Sequence, residues 1–531
     1  MQKLTVLNPR VADDAVAAKL APQLPSLQGA KIGFVDNSKV NADLFLTHVA
    51  PILRERYGAE AAVVVRKLAP KEELSQAELD KLADCQAVIQ CFGDCGTSTS
   101  MTVADGVKIE SLGIPTATVI STAFSKAAKH QAAGRGMGDL PIVEVPHPMH
   151  TAPKTAVRER AEAAVQRLAD ALTRREESAT NAAAPMWTRE VAIDDAPDAL
   201  QEFFFQQGWT DGLPVVPPTR RAVQAMVKAS GRAADDLIGT VPPRMRAATV
   251  EQIAINAVMA GCRADYFPAV LAAVEAMLDP ECRLYGIRTA TNNGTPLVIV
   301  NGPIARELDV NGGGNVFGQG WRANATIGRA LTLVLRNIGG DMPGETDMST
   351  QGQPGKFTFC IAENEAESPW TPFHVERGFS AEDSAVTVIG ASAGHNVFTY
   401  GCETGEEILD HFVGAMTALG HNNVIFPTGP LLVIGPEHAG VLARDGWDKP
   451  KIRQYIFERA RIPLSRFPER TQKGLKHRRS RWFEIANDSE NIGVADHPSH
   501  VNIVVAGGPG IHSQFVPTSF SYSPVTKKVT R

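Results

Sequence analysis

The chain has 531 residues, enough for two to four domains of about 100–200 residues each. Hydrophobic residues make up 44% and charged residues 21%, as in a globular protein with large cores, while a formal net charge of -5 and 6% aromatic residues give no surface suited to nucleic acid. We therefore expect no nucleic-acid partner. The sequence shows no apolar run of the roughly 18 residues that span a bilayer and no secretory signal, so it predicts no membrane association and a cytoplasmic location.

Residues 31 to 172 alternate strand and helix patterns. Strands that are apolar on both faces and alternate with helices predict an α/β domain with a doubly wound, mostly parallel sheet, flavodoxin-like or Rossmann-like. We assign residues 1–172 to this domain. The predicted strands are Lys31–Asn37, Ala61–Arg66, Ala87–Cys91, Pro115–Ser121 and Ile142–Val145, and the predicted helices are Ala42–Tyr57, Ser75–Asp84, Met101–Leu112 and Ala156–Leu172.

Residues 173–199 are charged, rich in alanine and without apolar periodicity, so they are predicted to be an interdomain linker. Residues 200–531 form a larger domain, predicted to be α/β or α+β. Three of its segments, 295–305, 430–440 and 501–513, each run from an apolar strand into a turn that contains Gly-Pro. They are either a pseudo-repeat or the common ending of parallel strands. Helical patterns in this domain cover Thr249–Met277, with a break near Tyr266–Pro268, Trp321–Asn337, Glu406–Ala418 and Lys451–Ala460.

The turn after the third predicted strand holds Cys95, at a place suited to chemistry. In an open parallel sheet, ligands bind at the carboxyl ends of strands, and a helix N-terminus lowers the pKa of a thiol. Cys95 is therefore a candidate nucleophile, whereas Cys85 and Cys91 are predicted to be buried core residues. Asp94 is a further catalytic candidate, but its charge would raise the Cys95 pKa, so we expect it to bind a cation or hold a proton.

Several other residues are candidates for the site. His147, between two prolines, is either a catalytic base or acid that faces Cys95 or part of a rigid structural turn. The glycine-rich segment 311–329 is either a cradle for a phosphate or carboxylate, with Arg322 and Arg329 adding charge, or an ordinary tight turn. No metal site is predicted, because the cysteines and histidines show no ligand spacing. The candidate substrate-binding residues are Thr97, Ser98 and Thr99, which with Ser100 are also candidate N-caps, and Arg288, Asn292, Gly313, Gly314, Asn315, Arg322 and His438.

The run Cys95-Gly96-Thr97-Ser98, followed by Gly113-Ile114-Pro115 and Pro146-His147-Pro148, resembles the UGSC-like (seleno)protein family over roughly residues 30–170. More distantly, it is similar to the selenoprotein B subunit of glycine, sarcosine and betaine reductases. Those proteins have selenocysteine at the position of Cys95, and in the reductases it attacks a substrate carbon and displaces an amine. The resemblance therefore implies a nucleophilic sulfur at Cys95.

This sequence differs from those families at one position of the turn, and a second resemblance covers parts of the later residues. The families' next cysteine corresponds to Ser98 here, so any disulfide cycle of Cys95 would need Cys91, a cysteine of the second domain or an external thiol. Residues 208–219 and 435–447 resemble uncharacterised proteins that accompany UGSC-like proteins. This second likeness implies that the chain is a fusion of the two.

Three functional hypotheses follow. In the first, the protein is a thiol-dependent oxidoreductase, transferase or lyase, in which the Cys95 thiolate attacks a small-molecule substrate in a cleft between the domains. The reaction would be reductive cleavage or sulfur or alkyl transfer; no cofactor is required by the sequence, although an external thiol or reductant is possible. In the second, Cys91 and Cys95 form a transient disulfide in a redox enzyme. In the third, the protein is a non-catalytic small-molecule-binding accessory protein. A homo-oligomer is expected for a cytoplasmic enzyme of this size.

Overall fold

A five-stranded parallel sheet forms the centre of the N-terminal part in the computed structural model, which describes residues 3–12, 18–174, 187–426, 428–520 and 523–531. We call residues 18–174 the N-terminal domain. Its elements follow a first strand, β1 (Lys3–Leu7), and are β2 (Lys31–Asp36), α1 (Ala42–Tyr57), β3 (Glu60–Arg66), α2 (Gln76–Asp80), β4 (Ala87–Gly93), α3 (Gly96–Ser111), β5 (Thr116–Ser121), α4 (Ser125–Gly134), β6 (Ile142–Val145) and α5 (Lys154–Thr173).

The strand order is β3-β2-β4-β5-β6 and every neighbouring pair is parallel, which confirms the predicted doubly wound sheet of flavodoxin-like order. Side chains alternate between the two faces of each strand. Ile89 and Cys91 of β4 pack into a cluster with α1 and α5. Val88 packs on the other face, in a cluster with residues of α2 and α3. Both faces are therefore buried, which explains why the strands are apolar throughout.

The remaining elements form a larger region, which we call the C-terminal part. They are β7 (Glu190–Asp194), α6 (Pro197–Gln206), α7 (Arg220–Ala229), β8 (Leu237–Val241), β9 (Arg246–Thr249), α8 (Val250–Ala260), α9 (Phe267–Leu278), α10 (Leu284–Thr289), β10 (Thr295–Asn301), α11 (Pro303–Glu307), α12 (Arg322–Asn337), β11 (Cys360–Ala362), α13 (Phe373–Glu376), β12 (Ala385–Ala391), β13 (His395–Phe398), α14 (Gly405–Met416), α15 (Asn422–Ile425), β14 (Leu431–Ile434), α16 (Pro436–Arg444), α17 (Lys449–Arg459), β15 (Arg461–Pro463), α18 (Glu469–Arg478), α19 (Ser480–Ala486), β16 (Asn491–Gly493), β17 (Asn502–Val505), β18 (His512–Val516) and β19 (Val525–Lys528).

Two mixed four-stranded sheets lie at the centre of the C-terminal part, in the orders β11-β10-β12-β19 and β13-β18-β14-β17. Their inner faces share one core cluster, to which β10 contributes Leu297 and Ile299 and β14 contributes Leu431 and Val433. The outer face of the first sheet packs against α8, α9 and α12, and that of the second against α14, α16 and α17. The result is a helix–sheet–sheet–helix arrangement, in agreement with the predicted mixture of helices and strands.

The predicted linker is only partly described, because residues 175–186 lie outside the described residues. Its later residues hold β7 and the first turn of α6. β7 pairs antiparallel with β1, and Lys3 and Asp194 at the end of this pair form an ion pair of 2.7 Å. This stretch is therefore more ordered than its composition predicts, because β1, distant in sequence, supplies its hydrogen-bonding partner.

The first strand of the chain belongs to the core of the C-terminal part. Val6 and Leu7 of β1 are buried in the cluster that contains α8, α9 and α12, and the Leu7 N–H donates to the Pro218 carbonyl at 2.9 Å. The N-terminal domain is thus enclosed in sequence between two strands, β1 and β7, that pair with each other. Within the described ranges, no helix has the length and apolar character needed to cross a bilayer.

We expect Leu7→Ala to destabilise the C-terminal part, although Leu7 precedes the N-terminal domain in sequence. Its side chain is 2% exposed, and truncating such a leucine costs about 2–5 kcal/mol of unfolding free energy. All six tryptophans lie between residues 187 and 482, so tryptophan fluorescence during guanidinium unfolding reports on this part alone. The control is Leu112→Ala at an exposed leucine of the N-terminal domain; equal midpoints for the two variants would contradict the assignment of β1.

Candidate active site at the Cys95 turn

Cys95 is the N-cap of α3. Its Sγ lies 3.4 Å from the Ser98 N–H, and the Ser98 hydroxyl oxygen accepts from the backbone N–H groups of Asp94 and Cys95 at 3.0 and 3.1 Å. Cys95 and Ser98 thus form a reciprocal capping box, with sulfur in place of the usual cap oxygen. The predicted N-caps Thr97 to Ser100 occupy the first helical turn instead, and α3 begins five residues before the predicted start at Met101. Serine and threonine favour caps and turns over helix interiors, and for this reason the sequence pattern predicted too late a start for the helix.

Lys39 supplies the positive charge of the site. It follows β2, the neighbour of β4 in the sheet, and its Nζ donates to the Ser98 hydroxyl at 3.2 Å. Burial alone would raise the pKa of the partly exposed Cys95 thiol, but the charge and hydrogen bonding of Lys39 and the hydrogen bonds of Ser98 outweigh it and lower that pKa. Sequence reasoning missed Lys39, although its place after the neighbouring strand was a usable signal, because carboxyl ends of parallel strands share one edge.

We expect Lys39→Gln to move the pH dependence of Cys95 alkylation to higher pH. The variant removes the charge that favours the thiolate, so the reactive form appears only in more alkaline solution. The measurement is the rate of iodoacetamide labelling of Cys95 from pH 6 to 10, followed by peptide mass spectrometry. Lys31→Gln removes the same charge at the amino end of β2, on the opposite sheet edge, and serves as the control. An unchanged profile in Lys39→Gln would remove Lys39 from the site.

Asp94 joins the Cys95 turn to the loop after β6. Its buried carboxylate accepts from the backbone N–H groups of Met149 and His150, and lies 2.9 Å from His147 Nδ1 and 2.6 Å from His150 Nδ1. Burial would raise the Asp94 pKa, but the hydrogen bonds from His150, Ser121 and the backbone hold it well below its usual range. The expectation that Asp94 holds a proton is therefore wrong, and its ionised carboxylate is neutralised by these donors. The pKa of Cys95 itself is lowered, in the direction expected for a thiol at a helix N-terminus.

The two histidines have defined orientations. When Nδ1–H of an imidazole donates to a carboxylate, Nε2 is the nitrogen left to accept or deliver a proton. His147 is held further by Ser121, whose hydroxyl is 3.1 Å from Nδ1, and by an edge contact with the Phe124 ring at 5.5 Å between centroids. The loop of His147 thus meets the Cys95 turn, as predicted from the PHP motif. The acid–base role of His147 stays a prediction, and His150 is the partner that sequence reasoning set aside.

The C-terminal part closes over the Cys95 turn. A Cβ placed on Gly96 would lie 1.6 Å from the Thr289 carbonyl oxygen at the end of α10, so only glycine fits there. Arg470 of α18 donates to the Asn41 side-chain oxygen at 3.1 Å and to the His150 carbonyl at 3.2 Å. The turn therefore lies where the two parts of the chain meet, which is the place expected for a cleft between domains.

We expect Gly96→Ala to displace α10 from the turn and to lower stability by about 1–3 kcal/mol, the usual cost of overpacking. The measurement is the unfolding midpoint, together with the iodoacetamide rate at Cys95 as a readout of the local displacement. The matched control is Gly414→Ala, at a glycine within α14 whose Cβ would meet nothing within 4 Å. That control should be neutral or stabilising by up to about 1 kcal/mol. Equal effects of both variants would contradict the close contact at Gly96.

Arg288 contributes to the site only indirectly. It lies in the helix α10, and its buried guanidinium donates to Asp341, Asp347 and Thr295. Burial would lower the Arg288 pKa, but the two aspartates raise it. Its donors are thus engaged in internal ion pairs that fix α10, the helix whose last residue contacts Gly96. The role predicted for it as a direct substrate ligand has no support from this geometry.

The glycine-rich segment 311–329 is folded onto the C-terminal part. The Gly313 N–H donates to the Asn311 side chain at 2.8 Å, and the Gly312 carbonyl accepts from the Gly507 N–H at 2.9 Å. Asn315 has a left-handed backbone, and its side-chain nitrogen donates to the Gln319 carbonyl at 2.9 Å. A Cβ on Gly508 would lie 2.7 Å from Gly314 Cα. These contacts match the alternative of a tight structural turn.

The other predicted ligands also have internal partners. Arg322 donates to the Gly261 carbonyl at 2.9 and 3.1 Å, and Arg329 forms a bidentate pair with Asp211 at 2.7 and 2.8 Å. The Asn292 side-chain oxygen accepts from the Gly294 N–H at 2.9 Å in its own turn, and its side-chain nitrogen donates to the hydroxyl of Ser519, distant in sequence, at 3.4 Å. His438 lies between the hydroxyls of Thr399 and Ser513, each at 2.6 Å, and burial lowers its pKa to about 4.

Thr97 and Thr99 in the first turn of α3 are buried, with side chains 6% and 0% exposed, and Ser98 is fully engaged with Cys95 and Lys39. Of the predicted ligands, the structure therefore brings Thr97, Ser98 and Thr99 to Cys95, together with Asp94 and His147. Cys85 and Cys91 are buried in core clusters, as predicted.

Residues 5–174 match the model of the UGSC family. The match confirms the resemblance read from the Cys95 turn and the GIP and PHP motifs, for the part of the chain that carries the site. No curated protein sequence matches the chain, and no solved structure matches it. The likeness of the later residues to proteins that accompany UGSC-like proteins stays a prediction.

Proposed function

Because residues 5–174 carry a UGSC-family domain, and the cysteine of its central turn caps a helix beside a lysine, we propose that the protein is a cysteine-dependent enzyme whose Cys95 thiolate attacks a small-molecule substrate. The observation that carries the proposal is the position of the partly exposed Cys95 at the N-terminus of α3, beside Lys39 and Ser98, whose charge and hydrogen bonds lower the pKa of its thiol. A thiolate is the nucleophilic form of cysteine, and a lowered pKa makes it available near neutral pH.

The other cysteines support the choice of Cys95. Burial raises the pKa of Cys91 well above its usual range and raises those of Cys262 and Cys282 to about 12. Cys402 is the second partly exposed thiol among the described residues, and burial together with the charge of Glu407 raises its pKa. Cys95 is therefore the thiol with the strongest tendency to ionise at neutral pH in the part of the chain that the structure describes.

The first chemical step is a substitution that leaves the oxidation state of the system unchanged. The Cys95 sulfur forms a bond to an electrophilic carbon, the bond from that carbon to its leaving group breaks, and the leaving group takes the electron pair. His147 or His150, oriented by Asp94, delivers a proton to the leaving group from Nε2 when its ring is protonated. An external thiol then attacks the carbon and frees the sulfur, which completes alkyl transfer; reductive cleavage would need a second external thiol as reductant.

The alternative of a Cys91–Cys95 disulfide is less well supported by the packing. Cys91 is buried in the cluster formed with α1 and α5, whereas the side chain of Cys95 packs against the cluster formed with α3 and α4, on the other face of the sheet. A disulfide needs the two Cβ atoms about 3.5–4.5 Å apart. Side chains directed to opposite faces do not meet this condition without movement of the strand.

We expect iodoacetamide at pH 7 to label Cys95 selectively and well before Cys402. The physical reason is the thiolate at Cys95, because only the ionised sulfur reacts at an appreciable rate. Intact-mass and peptide mass spectrometry of a time course give the two rates within one sample. Equal rates at Cys95 and Cys402, or no label at Cys95, would contradict the proposal.

Two variants complete this test. Cys95→Ala should abolish the fast labelling phase, and Cys402→Ala should leave it unchanged. Once a substrate is found, a covalent adduct at Cys95 after a single turnover would identify the proposed intermediate. Turnover that survives in Cys95→Ala would contradict the role of Cys95 as the nucleophile, and ligand binding that survives in Cys95→Ala without any turnover in the parent protein would favour the hypothesis of a binding or accessory protein.

A further inference from the structure

A cavity of about 540 Å³ lies between the loop after β3 and the C-terminal part. The N-terminal domain contributes the loop residues 67–78, and the C-terminal part contributes Arg283 and Arg478. The volume falls in the range of small-molecule sites, which is about 300–1,000 Å³. The lining residues are Lys67, Leu68, Ala69, Lys71, Glu72, Glu73, Ser75, Glu78, Arg283 and Arg478, so the cavity does not include Cys95.

Most of the charges that line this cavity are already paired. Glu72 accepts from Arg283 at 2.9 Å, and Glu73 pairs with Lys108 at 2.5 Å. Glu78 accepts from the backbone N–H and hydroxyl of Ser75 in a capping box. Lys67 forms a buried ion pair with Asp105 of α3. These groups have little capacity left for a ligand.

Lys71 and Arg478 are the two lining cations whose side chains are not paired in this way. Among the described residues, neither forms an ion pair or hydrogen bond, and the Nε of Arg478 is buried without a partner. Both cations lie over the ring of Phe426, with Lys71 Nζ at 5.2 Å and Arg478 Cζ at 5.6 Å from its centroid. Lys71 Nζ also lies 5.7 Å from the centroid of Phe520. One aromatic ring is thus shared by two cations that face one cavity.

The positive charges of Lys71 and Arg478 are therefore partly buried without an anionic partner among the described residues. Burial lowers the pKa of both groups, and for Lys71 to about 8, although the charge of Glu72 opposes the shift. Cation–π contacts offset only part of the cost of burying these charges, and charge-assisted hydrogen bonds to an anion would add to that compensation. An anion between Lys71 and Arg478 would satisfy the free guanidinium donors and relieve the repulsion of like charges.

We propose that this cavity binds a small organic dianion, a phosphate monoester or a dicarboxylate, between Lys71 and Arg478. Two unpaired monovalent cations match two negative charges. The planar guanidinium of Arg478 suits bidentate contact with a phosphate or carboxylate, and the Lys71 ammonium acts as a compact point charge. The site exists only when both parts of the chain are present, since each supplies one of the two cations.

The test is a binding titration of the full chain with inorganic phosphate and, separately, with succinate, by calorimetry and thermal shift, each against sodium chloride at the same ionic strength. We expect saturable binding and a rise in Tm with at least one of the two dianions. Phosphate alone indicates a phosphate monoester as the natural ligand, and succinate alone a dicarboxylate. No binding beyond the chloride control with either probe would overturn the proposal.

The variants Lys71→Gln and Arg478→Gln should each weaken binding at least tenfold. Neither side chain has a polar partner among the residues that the structure describes, so each variant should keep the fold, which its unfolding curve checks. The matched control is Lys473→Gln on α18, which removes a charge that is 77% exposed and paired with Glu469, and should bind like the parent. Parent-like affinity in both cavity variants would also overturn the proposal. The same titration in Cys95→Ala separates this site from the proposed thiol chemistry, because its outcome does not depend on that sulfur.

Discussion

The reciprocal hydrogen bonds between Cys95 and Ser98 determine the geometry of the whole site. They start α3 immediately after β4, so that the sulfur lies at the positive end of a helix dipole and at the carboxyl edge of the sheet. The Ser98 hydroxyl also accepts a hydrogen bond from Lys39, which lies in the loop after the neighbouring strand β2. The same short turn presents Asp94 to the loop after β6, and Gly96 to α10. The loops after β2 and β6 and the end of α10 therefore converge on one short turn, which spans residues 94 to 98.

The serine at this position also separates two kinds of chemistry. A second thiol at Ser98 would lie in reach of Cys95 and would offer an internal disulfide, as in the families with a cysteine at that position. A hydroxyl cannot be oxidised in this way; its oxygen accepts from the Cys95 thiol at 3.2 Å, from Lys39 and from two backbone N–H groups, and it donates to the Cys95 carbonyl at 3.3 Å. Ser98 therefore lowers the pKa of the Cys95 thiol, and it cannot form a disulfide with it. This distinction favours attack on an external electrophile.

Local patterns predicted the fold well, and long-range pairing explains most of what they missed. The alternation of apolar strands and helices gave the parallel sheet, and the break near Tyr266 correctly divided α8 from α9. The strand β7 escaped notice because Val191 and Ile193 make a strand only against β1, which is more than 180 residues away. In the site, Cys95, Asp94 and His147 carried signals in their own turns. The signal for Lys39 was only its place after β2, and Arg470 carried none, because an isolated basic residue becomes meaningful only when the fold places it beside its partner.

The pairing of β1 with β7 gives the N-terminal domain the topology of an insertion, held to the C-terminal part at both of its ends. A domain joined at two neighbouring points has less freedom to rotate than one joined by a single tether. During synthesis, β1 emerges from the ribosome long before the helices against which Val6 and Leu7 pack. The inserted domain can fold before β1 finds its partners, and the Cys95 turn would meet α10 only after the rest of the chain has been made. Completion of the chain would then be the step that encloses Cys95.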